Sequence, residues 1–183
     1  MPVQRACACG GGAGECRCEE GEEPGSAAVQ RLPGSGRHAA VSLDAAGAVD
    51  EALRGGGTPL EPALRATMEG SLGADLSEVR IHTGPDAARS AGALGAAAYT
   101  SGRHVVFADG AFAPQTAGGQ RTLTHELVHV VQQARGPVAG RPTPDGRLSI
   151  SDPSDSFERE AEREADRAAG QVTAEVAASP AGG

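Results

Sequence analysis

The sequence predicts an α+β fold, with a short three-stranded sheet packed against helices. Three observations support this prediction. Apolar residues recur every four positions across residues 59–72, polarity alternates across residues 79–83, and a helical pattern returns across residues 116–135. The order of helices, a small sheet, a helix, a loop and a final helix is typical of an α+β domain.

Two helices are predicted ahead of the sheet. The first covers residues 44–54, and three consecutive glycines at 55–57 end it. The second covers residues 59–72, in which a leucine or methionine recurs every four residues before Gly73 closes the helix.

Three short strands and three further helices complete the predicted order. Residues 79–83 form the first strand, and residues 98–100 and 104–108 form two more, joined by a turn. An alanine-rich helix at 85–94 separates the first strand from the second. Residues 116–135 are predicted to be helical, and a Pro/Gly-rich loop then leads to a charged helix at 157–176.

Composition divides the chain into a leader, one domain and a tail. The 183 residues include 27 glycines and 12 prolines but only 2% aromatic residues, which indicates one modest core. Residues 1–41 are mostly small, polar or charged and are predicted to be a disordered, cysteine-containing leader. The domain is predicted to occupy residues 42–176, followed by a disordered tail at 177–183.

The charge argues against two classes of partner. The net charge is −8, the isoelectric point is near 5.1, and the arginines are scattered, so neither a nucleic-acid groove nor an anionic membrane surface is expected. The sequence has no run of 18 apolar residues, and its start lacks the apolar segment of a secretory signal. We therefore expect a soluble protein that is cytoplasmic as synthesised.

The segment TLTHELVHVVQQ, residues 122–133, has the spacing of a metal site. His125 and His129 are one helical turn apart and can bind one ion. Glu126 is rotated by about 100° from His125, beside the ion, where it can take a proton from a metal-activated water. Its uncharged neighbours indicate a buried helix. The competing interpretation is a pair of structural histidines beside a solvated glutamate.

Two histidines bind zinc weakly, so a third protein ligand is expected. Arg135 occupies the position of a metzincin's third histidine, which excludes that class. The charged helix offers Glu158 or Glu162 as the third ligand. Each is followed four residues later by an acid that can hydrogen-bond a ligand histidine, Glu162 in the first case and Asp166 in the second. The competing interpretation is that this alternating Glu/Arg helix is a solvated face.

Three residues on the predicted strands are weaker candidates. His82 and His104 are expected to be structural at least as readily as to contact substrate. Tyr99 can donate to an oxyanion, although a lone tyrosine on a strand usually serves packing. His38 lies in the leader.

The leader carries Cys7, Cys9, Cys16 and Cys18 in a C-x-C-x6-C-x-C pattern. Four thiolates so close together can hold a second zinc ion, and a cytosolic origin argues against structural disulfides. Disulfides formed after release are one alternative. A cysteine that caps the catalytic zinc is another.

Three blocks of the sequence resemble the core domain of proteins associated with extracellular contractile injection systems (eCIS). They are GTPLEPALRATMEGSLGADLSEVRIHT, AAAYTSGRHVVFADGAFAP and RTLTHELVHVVQQ, within about residues 48–134. The trailing DPSDSFEREAEREADRAA resembles the acidic helix that often follows. The resemblance implies a small zincin-like, specifically gluzincin-like, metallopeptidase with His125, Glu126 and His129 at its metal and base positions. Its EREAD element matches residues 162–166 letter for letter, whereas the copy that starts at Glu158 has Glu162 where aspartate is usual.

The first interpretation of function is therefore a zinc-dependent endopeptidase that hydrolyses a protein or peptide substrate. The resemblance implies association with injection-system components, as a processing enzyme or as an exported toxin cargo. The alternative is a catalytically silent interaction or delivery module in which the zinc helix is structural.

Overall fold

The computed structural model describes residues 27–33, 44–136, 140–143, 147–151 and 156–178. The four cysteines and His38 lie outside these residues. Five helices are described: α1 (Ala45–Arg54), α2 (Pro62–Leu72), α3 (Pro85–Ala93), α4 (Ala117–Arg135) and α5 (Ser156–Ala178). The strands are β1 (Ala27–Pro33), β2 (Thr58–Pro59), β3 (Arg80–His82), β4 (Ala96–Ser101), β5 (His104–Phe107), β6 (Arg141–Pro142) and β7 (Leu148–Ile150). The α+β prediction is confirmed.

Local sequence explains where the helices begin and end. Helix α2 starts after Glu61, whose carboxylate accepts a hydrogen bond from the Leu64 N–H at 3.0 Å. It ends at Gly73, which adopts a left-handed φ of 61° that glycine tolerates readily. Helix α4 starts in the same manner, because the Thr116 hydroxyl accepts a hydrogen bond from Gly119 N–H at 3.0 Å. In both helices a side chain thus accepts a hydrogen bond from one of the first-turn N–H groups that have no partner within the helix.

The sheet has seven strands in the order β2-β3-β5-β4-β1-β7-β6, so the prediction of three strands is wrong. The predicted strands are β3, β4 and β5, at the centre and on one side of this order. The other four strands are short or have no marked alternation of polar and apolar residues. They form because partners distant in sequence supply their hydrogen bonds, which a local pattern does not reveal.

Strand β1 lies within the segment that the composition predicts to be disordered. It pairs antiparallel with β4, where Gln30 lies opposite Thr100, and parallel with β7, where Val29 lies opposite Ile150. Val29 and Gln30 are fully buried. The small and polar composition of Ala27–Pro33 therefore misleads, since its order comes from pairing on both sides.

Two apolar cores lie on the two faces of the sheet. One, between the sheet and helices α1 and α3, includes Val49, Leu94, Tyr99 and Val106. The other, between the sheet and helices α2 and α4, includes Met68, Ile81, Phe107, Leu123 and Leu127. Because successive residues of a strand face opposite sides, Tyr99 and Thr100 of β4 belong to different faces, and Thr100 faces α4. Helix α5 packs on α4.

Among the helices that the structure describes, none combines the length and the apolar character that crossing a membrane requires.

Candidate metal centre

Helix α4 carries the HELVH segment in the interior of the protein. Every side chain from Leu123 to Val130 is buried, and His125 and His129 are 1% and 0% exposed. The sheet covers one side of this segment and α5 covers another. The prediction that the motif lies on a buried helix is confirmed.

His125, His129 and Glu158 converge at one point. The two Nε2 atoms are 3.0 Å apart, and Glu158 Oε2 lies 3.2 Å from each of them. Ligand atoms arranged tetrahedrally around zinc at about 2.0–2.1 Å lie roughly 3.3 Å from one another. The three side chains therefore fit one metal ion without rearrangement, and among the described residues they are the one such group.

Helix α5 places Glu158 beside the two histidines because the face of α5 that packs on α4 is made of small residues. Ala161 and Ala165 follow Glu158 on the same face, and both are fully buried against α4. Small side chains permit a close approach of the two helices. Ser151, just after β7, donates a hydrogen bond to Glu158 Oε1 at 2.7 Å, so that Oε2 faces the histidines.

The other two acids proposed from the sequence point away from the histidines. Glu162, one turn beyond Glu158, is exposed. The Asp166 carboxylate lies 2.7 Å from Arg121 Nε at the surface, and its side chain is 65% exposed. The predicted hydrogen bond between Asp166 and a ligand histidine is therefore not formed, because the alanines occupy the stripe that faces α4.

Gln132, and not Glu162 or Asp166, forms the side-chain hydrogen bond to a histidine of the centre. Its Oε1 lies 2.8 Å from His129 Nδ1, and its Nε2 donates to Phe157 O at 3.1 Å and to Glu160 Oε2 at 2.7 Å. Gln132 therefore fixes the orientation of His129 and links it to the start of α5. The i, i+3 spacing from His129 was the one signal in the sequence that pointed to this contact. Ser151 had no comparable signal.

Glu126 is buried beside the histidines with one oxygen unpaired. The Thr100 hydroxyl donates to Glu126 Oε2 at 2.7 Å. Glu126 Oε1 and His125 Nδ1 are buried without a hydrogen-bond partner among the described residues. Burial raises the pKa of Glu126, against the opposing effects of His129, His125 and Thr100. A carboxylate with a raised pKa is a better proton acceptor near neutral pH.

Electrostatic attraction helps to hold these side chains together. Burial by itself would raise the pKa of Glu158, but hydrogen bonds with His125, His129 and Ser151 bring it down to about 2. Burial by itself would lower the pKa of His129, but Glu158 and Glu126 raise it above its ordinary value. Glu158 is thus ionised at neutral pH, in the form that binds cations.

The centre is closed to solvent. Glu126 and His129 are fully buried, and Glu158 is 4% exposed. Strand β1 contributes to this closure, since the side chain of its Gln30 hydrogen-bonds Gln132 and Gln133 of α4. Solvent therefore reaches Glu126 only if part of this cover moves.

The remaining candidates lie elsewhere. Tyr99 OH lies 2.6 Å from Ser90 Oγ, in the core on the opposite face of the sheet, where burial raises its pKa to about 12. It therefore does not face the metal centre, and the oxyanion role is wrong. His82 Nε2 lies 2.9 Å from His104 Nδ1, so these two histidines form a pair of their own on β3 and β5.

Residues 59–137 match the family model of the eCIS core domain. This span contains β4 and α4, with His125, Glu126 and His129, but neither β1 nor Glu158. No curated protein and no solved structure matches the chain.

Proposed function

We propose that the protein is a zinc-dependent endopeptidase with a zincin-like site, associated with a contractile injection system. The observation that carries the enzymatic part is the convergence of His125, His129 and Glu158 within 3.2 Å of one another, beside Glu126. The association with an injection system, as processing enzyme or exported cargo, is supported by the match over residues 59–137.

Two imidazoles and one carboxylate suit zinc in a hydrolytic site. Catalytic zinc takes three protein ligands of this kind and keeps a fourth position open. His125, His129 and Glu158 would hold the ion. Zinc bound there would lower the pKa of a water molecule and polarise the scissile carbonyl.

Glu126 acts as the general base. Its burial and raised pKa favour proton uptake, and the Thr100 hydroxyl holds Oε2 at 2.7 Å. Oε1, which has no hydrogen-bond partner among the described residues, is the atom that accepts the proton of the attacking water. The same carboxyl then delivers that proton to the leaving amine.

Gln132 and Ser151 are positioning residues. Gln132 orients His129 through Nδ1, and Ser151 orients Glu158 through Oε1. Each fixes the orientation of one ligand through a hydrogen bond.

The proposal is tested by comparing Glu126→Gln with the parent chain and with a matched control, Glu162→Gln, on the exposed face of α5. All three are loaded with zinc and incubated with a peptide library, and new amino termini are counted. Because the centre is closed, each protein is assayed both intact and after a proteolytic cut between residues 34 and 43. This cut breaks the covalent link between β1 and the rest of the domain. We expect Glu126→Gln to lower the rate by about 100-fold or more, and Glu162→Gln to retain it. Equal rates for Glu126→Gln and the parent would contradict the mechanism.

A second function, a silent interaction or delivery module with a structural metal helix, is favoured by the complete burial of Glu126. It predicts that chelation lowers the melting temperature while neither the intact nor the cut chain cleaves any peptide. Elemental analysis of His125→Ala accompanies this comparison. Loss of one zinc with retention of another would assign the second ion to the cysteine leader.

A further inference from the structure

Strand β1 joins two parts of the sheet that are otherwise separate. On one side lie β2, β3, β5 and β4, and on the other lie β7 and β6. Without β1, β4 would be an edge strand with free N–H and C=O groups. That edge runs beside α4, the helix that carries Glu126.

The side chain of Gln30 in β1 is held by two glutamines of α4. Gln30 Nε2 donates to Gln132 Oε1 at 3.3 Å, and Gln30 Oε1 accepts from Gln133 Nε2 at 3.1 Å. Gln132 is the residue that orients His129. One side chain of β1 is therefore linked to a metal ligand through a single intermediate.

The two glutamines are themselves fixed, so that they present one acceptor and one donor. Gln132 Nε2 is used by Phe157 O and Glu160, which leaves Gln132 Oε1 facing Gln30. Gln133 Oε1 accepts from Gly102 N at 2.6 Å, which leaves Gln133 Nε2 facing Gln30. A primary amide matches this pair, because its NH2 group donates while its carbonyl oxygen accepts.

The backbone of β1 reaches the centre from the other side. Ser151 N donates to Val29 O at 3.0 Å, and the Ser151 hydroxyl donates to Glu158 Oε1. The third ligand and β1 are thus connected through Ser151. Strand β1 contacts the supports of both His129 and Glu158.

We propose that β1 is an internal, substrate-like occupant of the peptide-binding edge of β4, and that it keeps the centre closed until it is displaced. This inference rests on the proposed peptidase function. The ligand of the edge is an extended peptide that pairs antiparallel with β4 and carries a glutamine or asparagine at the position of Gln30. Main-chain hydrogen bonds to β4 supply affinity, and the amide contacts with Gln132 and Gln133 supply specificity.

Two further observations support this inference. Glu126 is fully buried while β1 is in place, whereas hydrolysis needs both water and a peptide at that carboxylate. The family match includes β4 and α4 but not β1, so the matched region on its own would leave β4 at an edge.

The test uses the full chain with a recognition sequence for a specific protease inserted between residues 34 and 43. A fluorescent peptide, AAVQRLP, reproduces Ala27–Pro33, and its anisotropy reports binding. In the intact chain the tethered strand competes at an effective concentration near the millimolar range. We therefore expect the cut chain to bind the peptide about 100-fold more tightly than the intact chain. The same peptide with alanine in place of glutamine is the matched control and should bind at least about tenfold more weakly, as expected when two buried partners lose their hydrogen bonds.

The outcomes separate this inference from the proposed function. Equal peptide binding by the intact and cut chains, or equal and measurable rates of hydrolysis by both, would overturn the inference. So would a cut chain that never exchanges its leader for the peptide, or one that loses its helical circular dichroism when the leader departs. A cut chain that binds the peptide but cleaves nothing would support the occupant while contradicting the peptidase.

Discussion

The described residues include two histidine pairs, which differ in the groups that surround them. His125 and His129 on α4 have their Nε2 atoms 3.0 Å apart, and His82 and His104 on β3 and β5 are joined over 2.9 Å. Among the described residues, only the α4 pair is joined by a third group of the kind that binds metal, Glu158. Proximity of two imidazoles is thus common to both pairs, and the carboxylate distinguishes them.

The pKa shifts in the two pairs also have opposite directions. At the strand pair, burial lowers the pKa of His82, and nearby His104 lowers it further. Burial likewise lowers the pKa of His104, with added effects of Arg103 and Arg80. At α4, Glu158 and Glu126 raise the pKa of His129 despite burial. At α4 the two carboxylates favour the protonated, cationic form of His129. At the strand pair, burial favours neutral imidazoles, which hydrogen-bond each other.

The largest predicted difference between the pairs is in zinc affinity. His129→Ala removes a ligand and should weaken zinc binding by more than about 100-fold, beyond the effect of losing a ligand's supporting contact. His104→Ala should leave the affinity unchanged. Competition with a chromogenic chelator measures both, in chains whose four cysteines are replaced by serine. A comparable loss in His104→Ala would mean that the strand pair also binds zinc.

A smaller effect is expected from the residue that orients His129. Gln132→Ala removes the hydrogen bond to His129 Nδ1 and should lower zinc affinity by about 10–100-fold. The same competition measurement applies, with Glu162→Ala as the surface control. If Gln132→Ala binds zinc as tightly as the parent, the orientation of His129 does not depend on this contact.

The smallest effect is an opposite pH dependence of stability in the metal-free protein. The pKa of His129 is raised above its ordinary value of 6.5. Its contribution to the free energy of unfolding is therefore fully present below pH 6.5 and is lost as pH rises through the folded-state pKa. The pKa of His104 is lowered, so its contribution is present above pH 6.5 and lost as pH falls.

Thermal unfolding with a chelator present at pH 5.5 and pH 8.5 tests this contrast. His129→Ala should cost more stability at the lower pH, and His104→Ala should cost more at the higher pH. We expect the pH-dependent part to be about 1 kcal/mol for His129, or roughly 2–4 °C in melting temperature. For His104, which is partly exposed, solvent screening makes it smaller. Two variants with the same slope would remove the electrostatic distinction between the pairs.

The sequence predicted the helix of the centre better than its surroundings. The spacing of His125, Glu126 and His129 is a property of one helix, so it could be derived from local geometry. Glu158 and Glu162 remained alternatives, because which face of α5 meets α4 depends on the packing of Ala161 and Ala165. The sequence does not single out Gln132, since its hydrogen bonds to Phe157 and Glu160 form only once α4 and α5 are packed together.

The same reason explains why only part of the sheet could be predicted from the sequence. Strands β3, β4 and β5 have patterns or turns that can be read locally, whereas β1 is ordered by β4 and β7, far along the chain. Composition describes what a segment does alone. It does not include the hydrogen bonds that distant strands supply to β1.

We propose that Glu158 completes a metal centre with the two histidines of α4. The most direct measurement is zinc affinity by calorimetry for Glu158→Ala and Glu162→Ala, in chains whose four cysteines are replaced by serine. We expect Glu158→Ala to lose more than about 100-fold in affinity and Glu162→Ala to bind one zinc as the parent does. Unchanged binding in Glu158→Ala, or an equal loss in Glu162→Ala, would contradict it.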